Sequence, residues 1–376
     1  MQIVVSKKDL QRILSRCQGV ADRKSTMPVL GNVLLEVEGP DRLRLAATDL
    51  YVAITGSIPA EVEKGGAIAL GARELLERIR HMPDGKISIS TNGAATTIRA
   101  VGHPRRYTLQ ALPGEEFPAL PAAAANAERL TLPANALARL IAATHFAIST
   151  DETRLHLSSA LFEWDGDRVR MVSTDGHRLS KMEVKLKSTQ ASASMLIPLK
   201  GISELKRLCD EAISDTADLE IVITQSGPNA FFDLKSFQFS VKLVDAQFPP
   251  YQQVIPASSE RRVVAPRLAV MEALSAVQVA ASDRTGGVKL SLSKNMLRFS
   301  SESPDGGDCL DELGAEYSGG EIAVGFNAKY LLDVLGAVGA ENVAIELSGE
   351  LDPAVISPAT QPPDGSYTAV IMPMRI

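Results

Sequence analysis

The order of apolar and polar residues predicts that helices and strands alternate along the whole chain. In the first predicted helix, Leu10, Ile13, Leu14 and Cys17 follow the i, i+3, i+4, i+7 spacing of one apolar stripe. The segment LLEVEGPDRLRLAATD, beginning at Leu34, alternates with a period of two instead, which is typical of strands with one buried face. We therefore expect an α+β protein whose helices cover antiparallel sheets.

Three alternating segments carry a turn sequence in the middle and are predicted to be β-hairpins. The turns are EGPD at 38–41, WDGD at 164–167 and SKN at 293–295. Each is rich in the Gly, Pro, Asp and Asn residues that favour tight turns.

A strand followed by a turn and a helix recurs six times along the chain. The first members of each pair are MQIVVSKKDLQRIL, ERLTLPANALARLI and RRVVAPRLAVMEAL, and the second members are IALGARELLERI, LIPLKGISELKRL and IAVGFNAKYLLDVL. A third repeated motif starts at Tyr107, Phe239 and Tyr367 (YTLQALP, FSVKLVD and YTAVIMP). Because all three sets keep the same order at a nearly constant interval, we expect three tandem domains of like topology, spanning 1–125, 126–256 and 257–376.

Composition excludes several classes of protein. The chain has 376 residues, 45% hydrophobic and 22% charged, which is ordinary for a soluble globular protein. Its three cysteines are scattered, so neither a disulfide framework nor a cysteine-based zinc site is indicated. There is no signal-peptide pattern and no apolar run long enough to span a membrane. We expect a cytoplasmic protein without a metal or small-molecule cofactor.

Basic residues concentrate on the predicted helices although the formal net charge is −6. Lys8, Arg12 and Arg16 are spaced by four, opposite the apolar stripe of the first helix. The second predicted helix of each domain adds Arg73, Arg78, Arg80, Lys200, Lys206, Arg207 and Lys329. For one helix alone, a solvated face explains such a pattern. Repeated over six helices, it predicts a shared basic surface for a polyanion that is held through its phosphates without base readout.

The stretch STDGHRLS at 173–180 offers two interpretations. Ser173, Asp175 and His177 are the residue types of a hydrolase triad. However, the chain has no GxSxG elbow, and Asp175-Gly176 is a common bend in a polar turn. The turn is therefore favoured over the catalytic centre. A sequence-reading DNA-binding protein is a third possibility, but no helix-turn-helix or zinc-finger signature supports it.

The C-terminal residues VIMPMRI place two methionines close to the chain end. Met372 and Met374 could form an adaptable docking surface for a short peptide. They could equally pack in the core of the third domain, and periodicity alone does not decide between the two.

Several stretches resemble the bacterial DNA polymerase III β subunit family, the sliding clamps. They are MPVLGNVLLEV, ATDL, STDGHRL, KLVDAQFPPYQQVIP, GFNAKYLLDVL and VIMPMRI, and the resemblance extends over essentially the whole chain. It implies three clamp domains, each with two helices on curved antiparallel sheets, closed into a ring by a head-to-tail homodimer around duplex DNA. The implied function is a processivity factor without catalysis of its own. Its implied partners are the DNA polymerase III α subunit, a clamp loader and other polymerase or repair proteins, all bound through short peptides.

The resemblance also implies site residues. The partner-peptide groove comprises Leu157, Thr174, Gly176, His177, Arg178, Leu179, Pro249, Val254, Val370, Ile371, Met372, Pro373, Met374 and Arg375. The DNA contacts are Arg23, Lys24, Arg73, Lys200, Asn327 and Tyr330. The dimer seam includes Tyr107, Leu109, Val279 and Ala280.

The chain departs from the family pattern at three positions. Gln253 stands where members with an FPxYRR-type motif have a second arginine, Ile376 replaces a terminal leucine, and Asp151 stands where some members have a DNA-facing amide. The first change puts partner affinity in doubt, and the last would repel phosphate.

Overall fold

A computed structural model describes residues 1–216, 218–256, 259, 261–282, 285–303 and 307–375, with only the backbone for 187–191. These residues form two compact units, Met1–Asn135 with Arg207–Leu243, and Ala136–Lys206 with Val244–Ile376. Residues 257 and 376, the predicted ends of the third domain, lie outside the described residues. The three-domain boundaries therefore stay a prediction.

The elements alternate as the residue pattern predicts. In chain order, the strands are β1 (Gln2–Ser6), β2 (Asn32–Glu38), β3 (Arg42–Thr48), β4 (Val52–Lys64), β5 (Ala67–Gly71), β6 (Lys86–Asn92), β7 (Ala95–Ala100), β8 (Arg106–Gln110), β9 (Leu112–Pro113), β10 (Arg129–Pro133), β11 (Ser159–Thr174), β12 (Arg178–Pro198), β13 (Glu220–Ser226), β14 (Asn229–Asp233), β15 (Phe237–Lys242), β16 (Arg261–Pro266), β17 (Gly287–Ser293), β18 (Met296–Ser303), β19 (Gly307–Gly314), β20 (Ile322–Asn327), β21 (Asn342–Leu347), β22 (Ala354–Pro358) and β23 (Gly365–Ile371). The helices are α1 (Lys7–Val20), α2 (Ala72–Arg80), α3 (Ala134–Thr144), α4 (Leu199–Asp215), α5 (Arg267–Gln278) and α6 (Ala328–Ala337).

Each of these six helices begins directly after a strand, so the six predicted strand–helix pairs are confirmed. At two of the junctions a side chain caps the helix. The Ser6 hydroxyl accepts a hydrogen bond from the Asp9 amide at the start of α1. The Asn327 amide oxygen accepts from the Lys329 and Tyr330 amides at the start of α6. Such caps satisfy backbone N–H groups that have no partner inside the helix.

The sheets are antiparallel throughout the described chain, which confirms the predicted fold class. In the first unit, one sheet follows the path β10-β13-β14-β15-β4-β1-β6-β7-β8, with β2, β3, β5 and β9 branching from it. The second unit has a six-stranded sheet, β11-β12-β23-β22-β21-β16, and a four-stranded sheet, β19-β18-β17-β20. Successive sequence repeats therefore join edge to edge, since β15 pairs with β4 and β12 pairs with β23.

Two of the three predicted hairpin turns are confirmed. Gly39 and Asn295 both adopt positive φ angles, at the β2–β3 and β17–β18 turns. The hairpin predicted at WDGD is wrong, because β11 continues through 164–167 without reversing. It pairs with the long strand β12 on both sides of Gly166, where the register shifts. A bulge, rather than a turn, accommodates the glycine here.

The apolar stripe of α1 is buried as predicted, with Leu10, Ile13, Leu14 and Cys17 all 3% exposed or less. Burial raises the pKa of the Cys17 thiol to about 12, so this thiol is unreactive at neutral pH.

The prediction that Arg16 belongs to an exposed basic stripe is wrong. Its side chain is only 3% exposed and lies over the ring of Phe237, 4.2 Å from the ring centroid. Its Nε donates to Glu211 at 2.9 Å, and Nη2 lies 3.5 Å from Asp215 on α4. Carboxylates from the neighbouring helix thus make burial of this guanidinium tolerable.

Candidate functional site

The turn between β11 and β12 is built by two side chains that bond to the backbone. The Thr174 hydroxyl donates to the Arg178 carbonyl at 2.7 Å and accepts from the Gly176 amide at 3.1 Å. Asp175 Oδ1 accepts from the amides of His177 and Arg178, at 2.9 and 3.0 Å. Gly176 has a φ of 93°, which glycine adopts without strain. The polar turn predicted at Asp175-Gly176 is therefore confirmed.

Arg178 is held on several sides at the end of this turn. Its Nε donates to Asp175 Oδ2 at 3.1 Å, and its Nη1 donates to Asp333 Oδ2 on α6 at 2.5 Å. Nη2 donates to the Phe146 carbonyl at 2.6 Å, and the guanidinium carbon lies 4.6 Å from the centroid of the Tyr330 ring. The side chain is 9% exposed. Arg178 thus fastens the turn to α6 through ion pairs and hydrogen bonds.

The three candidate triad residues do not point toward one another. Ser173 is fully buried, and its hydroxyl donates to the Thr144 carbonyl. Asp175 is occupied by backbone amides and by Arg178. The His177 ring stacks on Tyr330, with 6.1 Å between the ring centroids. A nucleophile needs a base within hydrogen-bond reach, which this arrangement does not provide.

A cavity of about 270 Å³ lies beside the turn. Nine of the predicted groove residues line it: Leu157, Thr174, Gly176, Arg178, Leu179, Pro249, Val254, Val370 and Met372. Beneath it is a cluster of buried apolar residues that includes Leu161, Val172, Leu196 and Phe248. Segments distant in the sequence therefore meet at one apolar cavity, as the resemblance implies. Whether a peptide binds there remains a prediction.

Five predicted groove residues do not line the cavity, namely His177, Ile371, Pro373, Met374 and Arg375. The His177 carbonyl accepts from the Met372 amide at 2.9 Å, and the Met374 amide donates to the Gly325 carbonyl at 2.9 Å. Ile371 is buried, Pro373 is half-buried and Arg375 is exposed. Met372 is 39% exposed at the cavity, so packing in a core is excluded for this methionine.

Two cavity-lining residues, His156 and Tyr251, were not predicted from the sequence. Both are sequence neighbours of predicted residues, since His156 precedes Leu157 and Tyr251 lies between Pro249 and Val254. The Tyr251 hydroxyl lies 3.2 Å from Glu163 Oε2, to which it donates, and burial raises the pKa of this phenol. Tyr251 therefore links the cavity to charged residues on β11.

Three predicted DNA contacts lie in the first unit. Arg23 and Lys24 are exposed in the loop after α1, and Arg73 is exposed at the start of α2. Arg73 Nε donates to Glu77 at 2.7 Å, and this hydrogen bond is the main reason that the pKa of Glu77 is lowered. The charges of Arg78 and Arg23 lower it further. The charges of three arginines, two on α2 and one in the loop after α1, thus favour the ionised form of this carboxylate.

The remaining predicted DNA contacts lie in the second unit and differ in character. Lys200 is exposed in the first turn of α4. The amide of Asn327 is engaged, because it caps α6 and its Nδ2 donates to the Thr285 carbonyl at 3.1 Å. Tyr330 contacts His177 and Arg178, which places it beside the cavity. The assignment of these three residues to DNA stays a prediction.

The predicted seam residues lie at sheet and helix ends. Tyr107 and Leu109 are half-buried in β8, the last strand of its sheet. Val279, just after α5, is 86% exposed, whereas Ala280 is 6% exposed. Another edge strand, β19, was not predicted as part of a seam. It ends the four-stranded sheet and exposes Leu310 by 55%.

No cluster of three or more His, Cys, Asp or Glu side chains in the described ranges could hold a metal ion. None of the helices in that part of the chain combines the length and apolar character needed to cross a bilayer.

Comparison with protein families matches nearly the whole chain. Three models match, described as the N-terminal, central and C-terminal domains of the DNA polymerase III beta subunit. They cover residues 1–121, 131–250 and 252–375.

Comparison with individual proteins agrees. The beta sliding clamps of Pseudomonas aeruginosa and Escherichia coli K12 are 34% and 31% identical to this chain, with both chains covered completely. A crystal structure of the P. aeruginosa clamp bound to griselimycin has a TM-score of 0.93 at 33% identity over the full length of both chains. The structure of the Thermotoga maritima beta subunit has a TM-score of 0.91 at 25% identity, covering 100% of this chain and 99% of that one. The fold, the cavity and these matches together show that the chain belongs to the DNA polymerase III beta subunit family, the beta sliding clamps.

Proposed function

We propose that this protein is a non-enzymatic processivity factor. It encircles duplex DNA as a homodimeric ring and holds the replicative polymerase, a clamp loader and other DNA-processing proteins at the cavity beside the β11–β12 turn. The observation that carries the proposal is this apolar cavity, lined by four separate segments, in a chain of the sliding-clamp family. No catalytic step is part of the function.

The cavity suits a short linear peptide with apolar anchors. Its lining is largely apolar, with Leu157, Leu179, Val370 and Met372 around the space. The exposed, flexible thioether of Met372 adapts to side chains of different shape, which suits a site that serves several partners. Backbone groups near the turn can then fix an extended peptide.

The basic residues of α2 and of the loop after α1 support a surface for DNA phosphates. Arg23, Arg73 and Arg78 all act on the single carboxylate of Glu77, and all three are exposed or half-buried. Contacts of this kind hold a duplex without reading its sequence and weaken as salt increases.

Two edge strands of opposite charge support closure of the ring. β8 begins at Arg106 and follows Arg105, whereas β19 contains Asp308, Asp311 and Glu312. An unpaired sheet edge is a template for pairing with another chain. In a head-to-tail dimer, β8 of one protomer would pair with β19 of the other, and the arginines would face the carboxylates.

Retention on circular DNA tests the topological link. Protein loaded by a clamp loader onto nicked circles should stay bound through gel filtration and leave when the circle is linearised. Retention should be equal on circles of unrelated sequence. Loss of protein from intact circles would overturn the proposal, and a preference for one sequence would favour a sequence-reading protein instead.

Native mass measurement tests the ring seam. The protein at micromolar concentration should have the mass of a dimer, and Asp311→Arg together with Glu312→Arg should give monomers. Glu61→Arg, which makes the same kind of charge reversal on the exposed end of β4, serves as a charge control and should leave the dimer intact. A monomer for the unchanged protein would contradict the ring.

A further inference from the structure

Four charged side chains on β11 and β12 form a charge cluster, and none of them is among the described residues that line the cavity. Glu183 lies 3.3 Å from Arg168 Nη1 and 3.4 Å from Arg170 Nε. Arg170 Nη1 in turn lies 4.0 Å from Glu163 Oε2. Two guanidinium groups thus face two carboxylates, and an oxygen such as Glu163 Oε2 can still accept a hydrogen bond from a neutral group.

Tyr251 lies between this charge cluster and the cavity. Its ring lines the cavity and packs edge-on against Phe248 in the apolar cluster beneath it, with 6.3 Å between the ring centroids. Its hydroxyl donates to Glu163 Oε2 at 3.2 Å. Burial raises the pKa of the phenol, so the hydroxyl keeps its proton at neutral pH and stays a donor. One side chain therefore joins the apolar lining to a carboxylate outside it.

The wall segment, residues 249–254, forms one side of the cavity through Pro249, Tyr251 and Val254. The hydrogen bonds that its backbone makes within the described chain are both internal, at 3.1 Å each. Among the described residues, the bond from the Tyr251 hydroxyl to Glu163 is the hydrogen bond that fastens this segment to the sheet. The position of the wall segment thus depends on apolar packing and on this one bond.

We propose that Glu163 is a positioning residue for partner binding, because it holds the Tyr251 ring and the wall segment where a bound partner needs them. The inference rests on the proposed function of the cavity and adds to it a residue that the partner does not touch. A wall that is already fixed loses less conformational freedom when a partner binds, so the affinity is higher.

Substitutions that break the bond should weaken binding of the whole cognate DNA polymerase III α subunit, measured by surface plasmon resonance. Tyr251→Phe removes only the hydroxyl and should raise the dissociation constant about fivefold, which is the equivalent of one hydrogen bond. Glu163→Ala should have the same effect. Glu163→Gln keeps an oxygen that accepts the bond, and should raise the dissociation constant less than about twofold.

A double variant tests whether the two side chains act together. Tyr251→Phe combined with Glu163→Ala should bind the α subunit no more weakly than either single variant, because each removes the same bond. Losses that add up would overturn the inference, since the two side chains would then act independently.

Tyr317→Phe is the matched control. Tyr317 is also buried, its hydroxyl donates to the Gly320 carbonyl at 2.5 Å, and it is not among the described lining residues. This variant should lower the free energy of unfolding, measured in urea, and leave the affinity unchanged. A hydroxyl with a merely structural role changes unfolding but not the affinity of the folded protein, so an equal loss of affinity in Tyr317→Phe and Tyr251→Phe would overturn the inference.

Met372→Lys separates this inference from the function on which it rests. It places a charge at an exposed position of the lining and should abolish binding of the α subunit. If Tyr251→Phe binds as tightly as the unchanged protein while Met372→Lys does not bind, the inference is overturned and the proposed function stands. If the unchanged protein fails to bind the α subunit, or Met372→Lys binds it equally well, both proposals are overturned.

Discussion

The turns at 48–52 and 174–178 share one hydrogen-bonding frame but have different surroundings. The sequences are TDLYV and TDGHR. In each turn, the threonine hydroxyl accepts from the amide two residues after the threonine and donates to the carbonyl four residues after it. One oxygen of the aspartate accepts from the amides two and three residues after the aspartate. The four distances in the first turn are 3.0, 2.9, 2.8 and 2.7 Å, and those in the second are 3.1, 2.7, 2.9 and 3.0 Å.

The difference lies in the residues that the frame presents. Leu50, with a φ of 77°, and Tyr51 are exposed in the first turn, by 52% and 64%. The second turn has Gly176 and His177 at these positions, followed by Arg178, which is tied to α6 and borders the cavity. The same hydrogen-bonding frame is therefore a plain loop in the first turn and the wall of the cavity in the second. The contacts of the Arg178 side chain make the difference.

The largest effect is expected from Arg178→Val, which gives the second turn the residue that Val52 provides at the same position of the first. Arg178→Val leaves the carboxylates of Asp175 and Asp333 without their guanidinium and should cost about 3 kcal/mol of unfolding free energy, because Arg178 is buried. Binding of peptides at the cavity should be lost with it. Urea unfolding and anisotropy measure the two effects.

Arg154→Gln is the control for Arg178→Val. Arg154 donates to the Asp175 carbonyl of the same turn, but its side chain is 42% exposed. Arg154→Gln should lower the free energy of unfolding by less than about 0.5 kcal/mol. Equal losses for the two variants would mean that the ties of Arg178 to α6 contribute little.

A smaller and matched effect is expected from Thr48→Val and Thr174→Val. Each removes a hydroxyl that both donates and accepts, so each should lower the free energy of unfolding by about 1–2 kcal/mol. Urea unfolding of both variants measures it. If only one of the two destabilised the protein, the frames would not be energetically equivalent.

The two turns differ in the residue that adopts a positive φ, which is Leu50 in the first and Gly176 in the second. Substitutions at this position are expected to change the free energy of unfolding by about 1 kcal/mol. Gly176→Ala should destabilise by about that amount, because an L residue is strained in this conformation. Space is not limiting, since an added Cβ would meet only Arg154 Nη1 at 3.8 Å.

Leu50→Gly should change stability by less than about 1 kcal/mol, because relief of strain and the flexibility of glycine in the unfolded chain oppose each other. Gly65→Ala, at a glycine with open space and no positive φ, is the control and should not destabilise. A loss for Gly65→Ala as large as that for Gly176→Ala would argue against backbone strain.

The smallest effect is a change in structure at acid pH, which only the second turn should show. The pKa of Asp151 is lowered, chiefly by the Thr153 hydroxyl, then by the Thr153 amide and by Arg154. Since the folded pKa is the lower one, the stabilisation is complete above the ordinary carboxyl value near 4 and is lost as pH falls through the folded pKa.

Protonation of Asp151 should release Arg154 from its carboxylate and shift the NMR signal of the Gly176 amide below about pH 4, whereas the Leu50 amide should not follow. Asp151→Asn should abolish the transition. A transition that persists in this variant would assign it to another carboxylate.

Much of the fold was predictable because it depends on local patterns. Helix α1 follows from the spacing of Leu10, Ile13, Leu14 and Cys17, and the β11–β12 turn follows from Asp175-Gly176. The resemblance, rather than periodicity, brought together the residues that line the cavity. His156 and Tyr251 were missed because a turn residue and a loop tyrosine have no periodicity that indicates which way they point.

The amino-acid sequence by itself determined the six strand–helix pairs, the tandem repeat and the family, since each depends on residue types at short or regular spacing. Only the tertiary structure decided that Arg16 is buried against Glu211, that β11 continues through WDGD, and that Arg178 reaches Asp333. These features depend on residues far apart in the chain, and the identity of a side chain does not reveal which distant partner it will meet. The physical reason is that burial and ion pairing are properties of the packed protein, whereas turns and helices are properties of neighbouring residues.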